Sequence, residues 1–177
     1  MFRLLIKIQS KPFILLFVIT SKDKLKLKFN STFKFYDETN CYREGHQADP
    51  LEIDNDLQAQ AQAYADKLLS DDQGLIHSDS GGAYGENLAW VSDESIADTS
   101  VKMWYDENAD YDYSSPGFSG DTGHFTQLVW KGSQKVGCGI ASGSGGVYTV
   151  CQYKPPGNYE GEFEDNVLPD ENGSPEC

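Results

Sequence analysis

Two runs rich in strand-forming residues, 135–142 and 147–153, are separated by Gly143-Ser144-Gly145-Gly146. A glycine-rich spacer of that length closes a β-hairpin, because glycine enters the backbone regions that tight turns demand. With Ser142 facing Val147, the register sets Cys138 directly across the ladder from Cys151. Opposed Cβ atoms lie within reach of a disulfide, so the spacing predicts a Cys138–Cys151 bond in an oxidising compartment. The remaining cysteines, Cys41 and Cys177, could pair with each other or stay free. None of the four forms a CxxC, which argues against a zinc ribbon or a thioredoxin-type site.

Upstream of the hairpin the hydrophobic period becomes helical. Leu57, Ala61, Tyr64, Ala65 and Leu68 share one face, with acidic cap candidates from Asp54 to Asp56 and Gly74 beyond the end. A second helix is expected over about residues 95–108, with Ile96, Val101 and Trp104 as its apolar stripe and Ser100 alongside. A shorter one is expected over about residues 37–46. Residues 125–130 fit helix or strand equally well. Helices in front and strands behind predict an α+β domain, its helices packed on a small, mainly antiparallel sheet.

The chain has 177 residues, enough to bury a core as one domain, and a net charge of −14 that is unevenly spread. Residues 1–35 carry +7 and residues 36–177 carry −21. Such an acidic domain repels phosphate backbones, which excludes nucleic acid as a partner. Residues 1–20 begin basic and continue with an apolar run at 13–19. The run is short of the about 20 residues a membrane span needs, but it suits a secretory signal. The expectation is an extracellular protein. Residues 21–35 read as a basic linker whose alternating Lys-Leu-Lys-Leu-Lys-Phe is extended; the alternative is a basic arm touching an anionic membrane or its own acidic domain, without anchoring. Sequons at Asn30 and Asn172 flank a domain expected over 36–168, and residues 169–177 are expected to form a flexible tail.

Two of the three histidines, His77 and His124, stand beside glycine-rich turns, and Glu86 follows Gly85. Glu107 lies three residues beyond Trp104, which points it toward the core side of its helix. An inward carboxylate needs a partner, and histidine is a natural one. Two His with two Glu can hold a borderline divalent ion such as zinc, run acid–base chemistry, or form a structural hydrogen-bond cluster, the commonest outcome for such groups. No HExxH is present. Asp106, Asn108 and Asp110 do not open an EF-hand, since Tyr111 stands where glycine is needed and Gly117 where the bidentate glutamate belongs. No Ser or Cys nucleophile beside a histidine and no oxyanion hole can be read, so the reading leans away from an enzyme without settling the point.

Several longer blocks carry a family resemblance. Gly123-His124-Phe125-Thr126-Gln127-Leu128-Val129-Trp130-Lys131-Gly132-Ser133 and Cys151-Gln152-Tyr153-Lys154-Pro155-Pro156-Gly157-Asn158-Tyr159 resemble the two signatures of the CAP superfamily (cysteine-rich secretory proteins, antigen 5, pathogenesis-related class 1). Gly85-Glu86-Asn87-Leu88-Ala89, Trp104-Tyr105-Asp106-Glu107 and the Asn40, Arg43, His46 set match further blocks in order. The likeness covers about residues 37–168 and is greatest to secreted fungal and plant members. It implies an α-β-α sandwich, helix after His124, and convergence of His77, Glu86, Glu107 and His124 in a central cleft that accepts zinc or magnesium in some members. Fungal members bind sterols through a loop of the form aromatic-x-aromatic-x-x-x-x-aromatic, which Tyr111, Tyr113 and Phe118 fit. The resemblance thus implies a small lipid or sterol as partner. By the residues alone, those aromatics read more simply as core packing around a Pro-Gly turn. Thr39 stands where the family has histidine, and Thr149 where it prefers an apolar residue. A metal-dependent hydrolase on the His/Glu set and a host–pathogen interaction protein are the alternative functions.

Overall fold

The computed structural model describes residues 34–171 and Cys177. The secretory-signal reading, residues 21–33 of the linker, and the sequons at Asn30 and Asn172 lie outside the described residues.

Helix α1 occupies residues 34–45. It is followed by β1 (Glu52–Ile53), α2 (Asn55–Asp71), β2 (Gly85–Val91), α3 (Ser100–Asp106), α4 (Gly123–Val129), β3 (Lys135–Gly143), β4 (Gly146–Lys154) and the short α5 (Phe163–Asn166). The sheet order is β1-β3-β4-β2, with β1 parallel to β3 and the other pairs antiparallel. β3 and β4 form the expected hairpin in the expected register, Ser142 opposite Val147 and Cys138 opposite Cys151, and those two cysteines are bonded. The ladder runs one pair further than the sequence indicated. Gly143 pairs with Gly146, so the loop is only Ser144-Gly145.

The two faces of the sheet are covered differently. On one, α2 lies on a smooth strip of β3. A Cβ on Gly139 would stand 2.3 Å from Gln62 Cα, and one on Gly137 would stand 2.1 Å from Gln58 N, so only glycine lets the helix come this close. Ala61, Ala65 and Leu68 of α2 meet Leu88, Ala141, Tyr148 and Val150 there. Asp54 caps α2 as expected, accepting from the N–H groups of Asp56 and Leu57. The helix ends earlier than Gly74 suggested, at Asp72, which takes the left-handed conformation with φ 49°. On the opposite face, α1, α3 and α4 bury Phe35, Tyr42, Trp104, Phe125 and Leu128 against Val136, Cys138, Ile140 and Cys151. The result is the α-β-α sandwich.

The helix expected over 95–108 is three pieces: a 3₁₀ turn at Glu94–Thr99, α3, and a second 3₁₀ turn at Glu107–Asp110. A 3₁₀ turn has three residues per turn, so the phase of the stripe shifts across the junction. Val101, Trp104 and Ser100 are buried as expected, whereas Ile96 is exposed. Thr149, a departure from the family pattern, is fully buried and accepts a hydrogen bond from Ser100 Oγ at 3.0 Å. The hydroxyl is therefore satisfied where an apolar residue would otherwise sit.

Cys41 of α1 is bonded to Cys177. Of the stretch expected to be a flexible tail, residues 169–171 also lie against α1: Gln47 Nε2 donates to Pro169 O at 3.4 Å and Glu171 N to Gly45 O at 3.3 Å.

Candidate functional site

Glu107 begins the turn that ends α3, and its carboxylate reaches the first turn of α4. Oε2 accepts from the backbone N–H groups of His124 and Phe125, at 3.0 and 3.1 Å. The sequence had this side chain facing the core from a continuous helix; instead it caps the next helix. Thr122, the residue in the capping position of α4, makes no side-chain cap, so Glu107 does that work from another element. The same carboxylate holds the imidazole of His124, with Nδ1 2.6 Å from Oε1. The ring lies over Trp104, centroids 6.4 Å apart and planes 23° from parallel.

Glu86 lies on β2 with its side chain only 5% exposed, beside the largely exposed His77. Its Oε1 lies 2.9 Å from His77 Nδ1 and accepts from Ser78 N at 2.9 Å. Its Oε2 accepts from Ser78 Oγ at 2.6 Å and from Gln152 Nε2 at 3.0 Å. Burial pushes the Glu86 carboxyl up, but the hydrogen bonds from His77, Ser78 and Gln152 together outweigh it and hold the group below its ordinary value.

The four residues thus form two matching pairs, His77–Glu86 and His124–Glu107. The pairs are tied together through Asn87, the neighbour of Glu86, whose Nδ2 donates to His124 O at 2.9 Å. A carboxylate accepts, so in each ring Nδ1 carries the hydrogen, and in that tautomer of the neutral form the lone pair lies on Nε2. This differs from four ligands converging on one ion. Among the described residues, no group of three or more His, Cys, Asp or Glu side chains stands in metal-holding geometry. Each carboxylate engages its ring at Nδ1, so Nε2 is the nitrogen of each imidazole left open to a ligand.

The aromatic loop divides. Tyr111 is buried, edge-on to Tyr113 at 4.8 Å and tilted against Phe125 at 5.6 Å. Tyr113 packs against the same cluster, and its hydroxyl donates to Asn108 Oδ1 at 2.5 Å. Only Phe118 is exposed, at 59%. Its ring rests on Gly123, where a Cβ would come within 3.1 Å, one residue from His124.

Two contributors, Ser78 and Gln152, were not singled out from the sequence, and Arg43 was noted only as part of a family block with no role given to it. Gln152 is fully buried in β4, and a glutamine inside an otherwise apolar strand was the available signal. Arg43 is also fully buried; its guanidinium donates to Leu128 O, Trp130 O and Ser133 O through NH1 and NH2, and its Nε to Asp49 O, all at 2.9–3.0 Å. Burial lowers its pKa to about 10, which still leaves it charged at neutral pH.

Glu86 makes stability depend on pH. Its folded pKa is depressed, so its contribution is complete above the unfolded value of about 4.3 and is lost as pH falls through the folded value. The difference in unfolding free energy between wild type and Glu86→Gln should therefore be constant above about pH 5 and shrink toward pH 2–3. Urea unfolding across that range measures it, and a difference that does not change with pH would contradict the assignment.

The model of the cysteine-rich secretory protein family, CAP, matches residues 36–153. Protein PRY2 of Saccharomyces cerevisiae is 51% identical over 115 residues, 64% of this chain and 33% of that protein, so the match spans about a third of PRY2. The Golgi-associated plant pathogenesis-related protein 1 of Homo sapiens is 41% identical over 153 residues, 84% of this chain and 97% of that protein. Among solved structures, NaASP2 with Zn2+ superposes with a TM-score of 0.63 at 24% identity, covering 79% of this chain and 85% of NaASP2; at that identity the likeness speaks for the fold. The extent of the family match and the identity to a relative covered over nearly its whole length lead to one conclusion: the chain belongs to the CAP family of cysteine-rich secretory proteins.

Proposed function

We propose that this chain is an extracellular CAP-domain protein whose central cleft binds a divalent metal through Nε2 of His77 and His124. The observation that carries the reading is the pairing of each imidazole at Nδ1 with a hydrogen-bonded carboxylate. Such pairing fixes the tautomer and ring orientation and raises the basicity of the free nitrogen. Imidazole donors favour zinc over magnesium, which prefers oxygen ligands and retained waters. A bound zinc ion supplies Lewis acidity toward a carbonyl, a phosphoryl group or water. The fold neighbour NaASP2 was solved with Zn2+, although the case here rests on this chain's own imidazoles. The family description is secretory, and two disulfides suit an oxidising compartment, which supports the extracellular assignment.

The hydrolase alternative is weaker. Ser78 Oγ, the hydroxyl nearest the pair on β2, is hydrogen-bonded to Glu86 and Tyr84 rather than to an imidazole. The setting suggested by relatives named for pathogenesis is compatible with a binding role, and it comes from those names.

Calorimetric titration with zinc chloride tests the proposal. Wild type should bind with an affinity that His77→Ala/His124→Ala abolishes and Glu86→Gln/Glu107→Gln weakens by about 10- to 100-fold. Zinc binding that survives unchanged in the double histidine variant would place the ion elsewhere and overturn the reading.

A second reading, sterol or small-lipid binding, is favoured by the exposed Phe118 ring beside the cleft. Flat aromatic faces pack on rigid rings, and Phe118 is the one loop aromatic free to do so. Phe118→Ala should cost up to a few kcal/mol of sterol affinity without changing the thermal unfolding midpoint. An unchanged dissociation constant would remove the loop from any sterol site.

A further inference from the structure

The two disulfides sit in opposite environments. Cys138 and Cys151 are 2% and 0% exposed in the core between the sheet and the helices. Cys177 is exposed, and Cys41 is half-buried in the wall of an open groove of about 690 Å³, lined also by Asp37, Asn40, Glu44 and Gln47. Thiol–disulfide exchange requires an attacking thiolate to reach a sulfur atom, so burial decides which bond can react while the protein stays folded. We propose that Cys41–Cys177 is a thiol-exchange site that controls whether residues 168–171 remain held against the end of α1, and that Cys138–Cys151 stays oxidised under the same conditions.

Among the described residues, hydrogen bonds also hold residues 168–171 to the end of α1 and the turn that follows it. His46 Nδ1 donates to Leu168 O at 2.7 Å, Gln47 Nε2 reaches Pro169 O, and the Glu171 N–H meets Gly45 O at the C-terminal end of α1. The contacts of Gln47 and of the Glu171 N–H are long, at 3.4 and 3.3 Å. The Gln47 and Glu171 contacts lie at the surface, where hydrogen bonds open and close readily, whereas the His46 bond is made by a buried ring; the disulfide keeps the two partners at high effective concentration. Once it is reduced, His46 loses the acceptor of its Nδ1, leaving the Tyr105 hydroxyl, 3.2 Å from Nε2, as its partner.

The exchange balances as a two-electron reduction. A thiolate attacks Sγ of Cys177, forming a mixed disulfide, and Cys41 leaves as the thiolate and takes up a proton. A second thiol then attacks the reagent's sulfur in the mixed disulfide, releasing the Cys177 thiol and the oxidised reagent. Asp37 and Glu44 line the groove at Cys41, the sulfur bonded to the one attacked, so the reductant class favoured is a thiol that is uncharged or cationic; anionic glutathione is repelled by an acidic groove.

The test is partial reduction of the folded protein by dithiothreitol, followed by alkylation, peptide mapping and hydrogen exchange. Cys41 and Cys177 should be alkylated together at least about a hundredfold faster than Cys138 and Cys151, because the buried bond reacts only through global opening. Exchange should rise at 168–171 and at the end of α1, with the sheet unchanged. At low ionic strength cysteamine should outpace glutathione beyond their difference in thiolate content, and salt should remove the gap. Cys41→Ser/Cys177→Ser should show the opened exchange pattern at once and no response to reductant. Alkylation of all four cysteines at one rate would overturn the proposal. So would selective reduction that leaves exchange at 168–171 unaltered.

Discussion

Helix α4 has seven residues, too few to persist on its own, yet it carries His124 and the centre of the core. It is held by an ion at each end. At its N-terminus the Glu107 carboxylate accepts two backbone N–H groups, and beyond its C-terminus the buried Arg43 guanidinium collects the Leu128 and Trp130 carbonyls. The signs are those the helix dipole favours, negative at the start and positive at the end. Arg43 continues to Ser133 O and Asp49 O, so one side chain of α1 also fixes the approach to β3 and the loop toward β1. Because four carbonyl acceptors surround the guanidinium, its burial is matched by charge-assisted hydrogen bonds rather than by a carboxylate.

The clamp is also what makes the site. Glu107 cannot cap α4 without standing beside His124 Nδ1, so a structural requirement and an orienting contact share one carboxylate. On β2, Glu86 reaches the same relation to His77 by a different route, held by Ser78 and by Gln152 across the ladder. The glycine strip of β3 seats α2 closely on one sheet face, and the Glu86 carboxylate, bonded to Ser78 and Gln152, is only 5% exposed. Two separate elements of the fold therefore deliver one chemical unit, an imidazole with its Nδ1 engaged.

The hairpin was legible because its signals are local: a short glycine-rich loop sets the register, and the register sets the cysteines. Helix α2 was legible for the same reason, from its period and the Asp54 cap. The role of Glu107 was not, because a helical wheel assumes one continuous helix and the chain changes to 3₁₀ at that residue. Nor was the split of the aromatic loop, since Tyr111, Tyr113 and Phe118 differ only in what folds over them. Arg43 looks like a surface residue in a sequence, and for Arg43 and Gln152 alike only the tertiary arrangement supplies the carbonyls and the carboxylate that let them be buried. The partner of Cys41 was undecidable for a similar reason, as the pair is separated by 136 residues.

The central claim is that His77 and His124 both keep Nε2 free because a carboxylate engages Nδ1. Nitrogen-15 NMR of the imidazoles near neutral pH, with His46 assigned by substitution, tests this directly. The account predicts that the neutral forms of His77 and His124 carry their hydrogen on Nδ1, with Nε2 shifts of an unprotonated nitrogen that move on addition of zinc. Neutral rings protonated on Nε2, or Nε2 shifts indifferent to zinc, would contradict it.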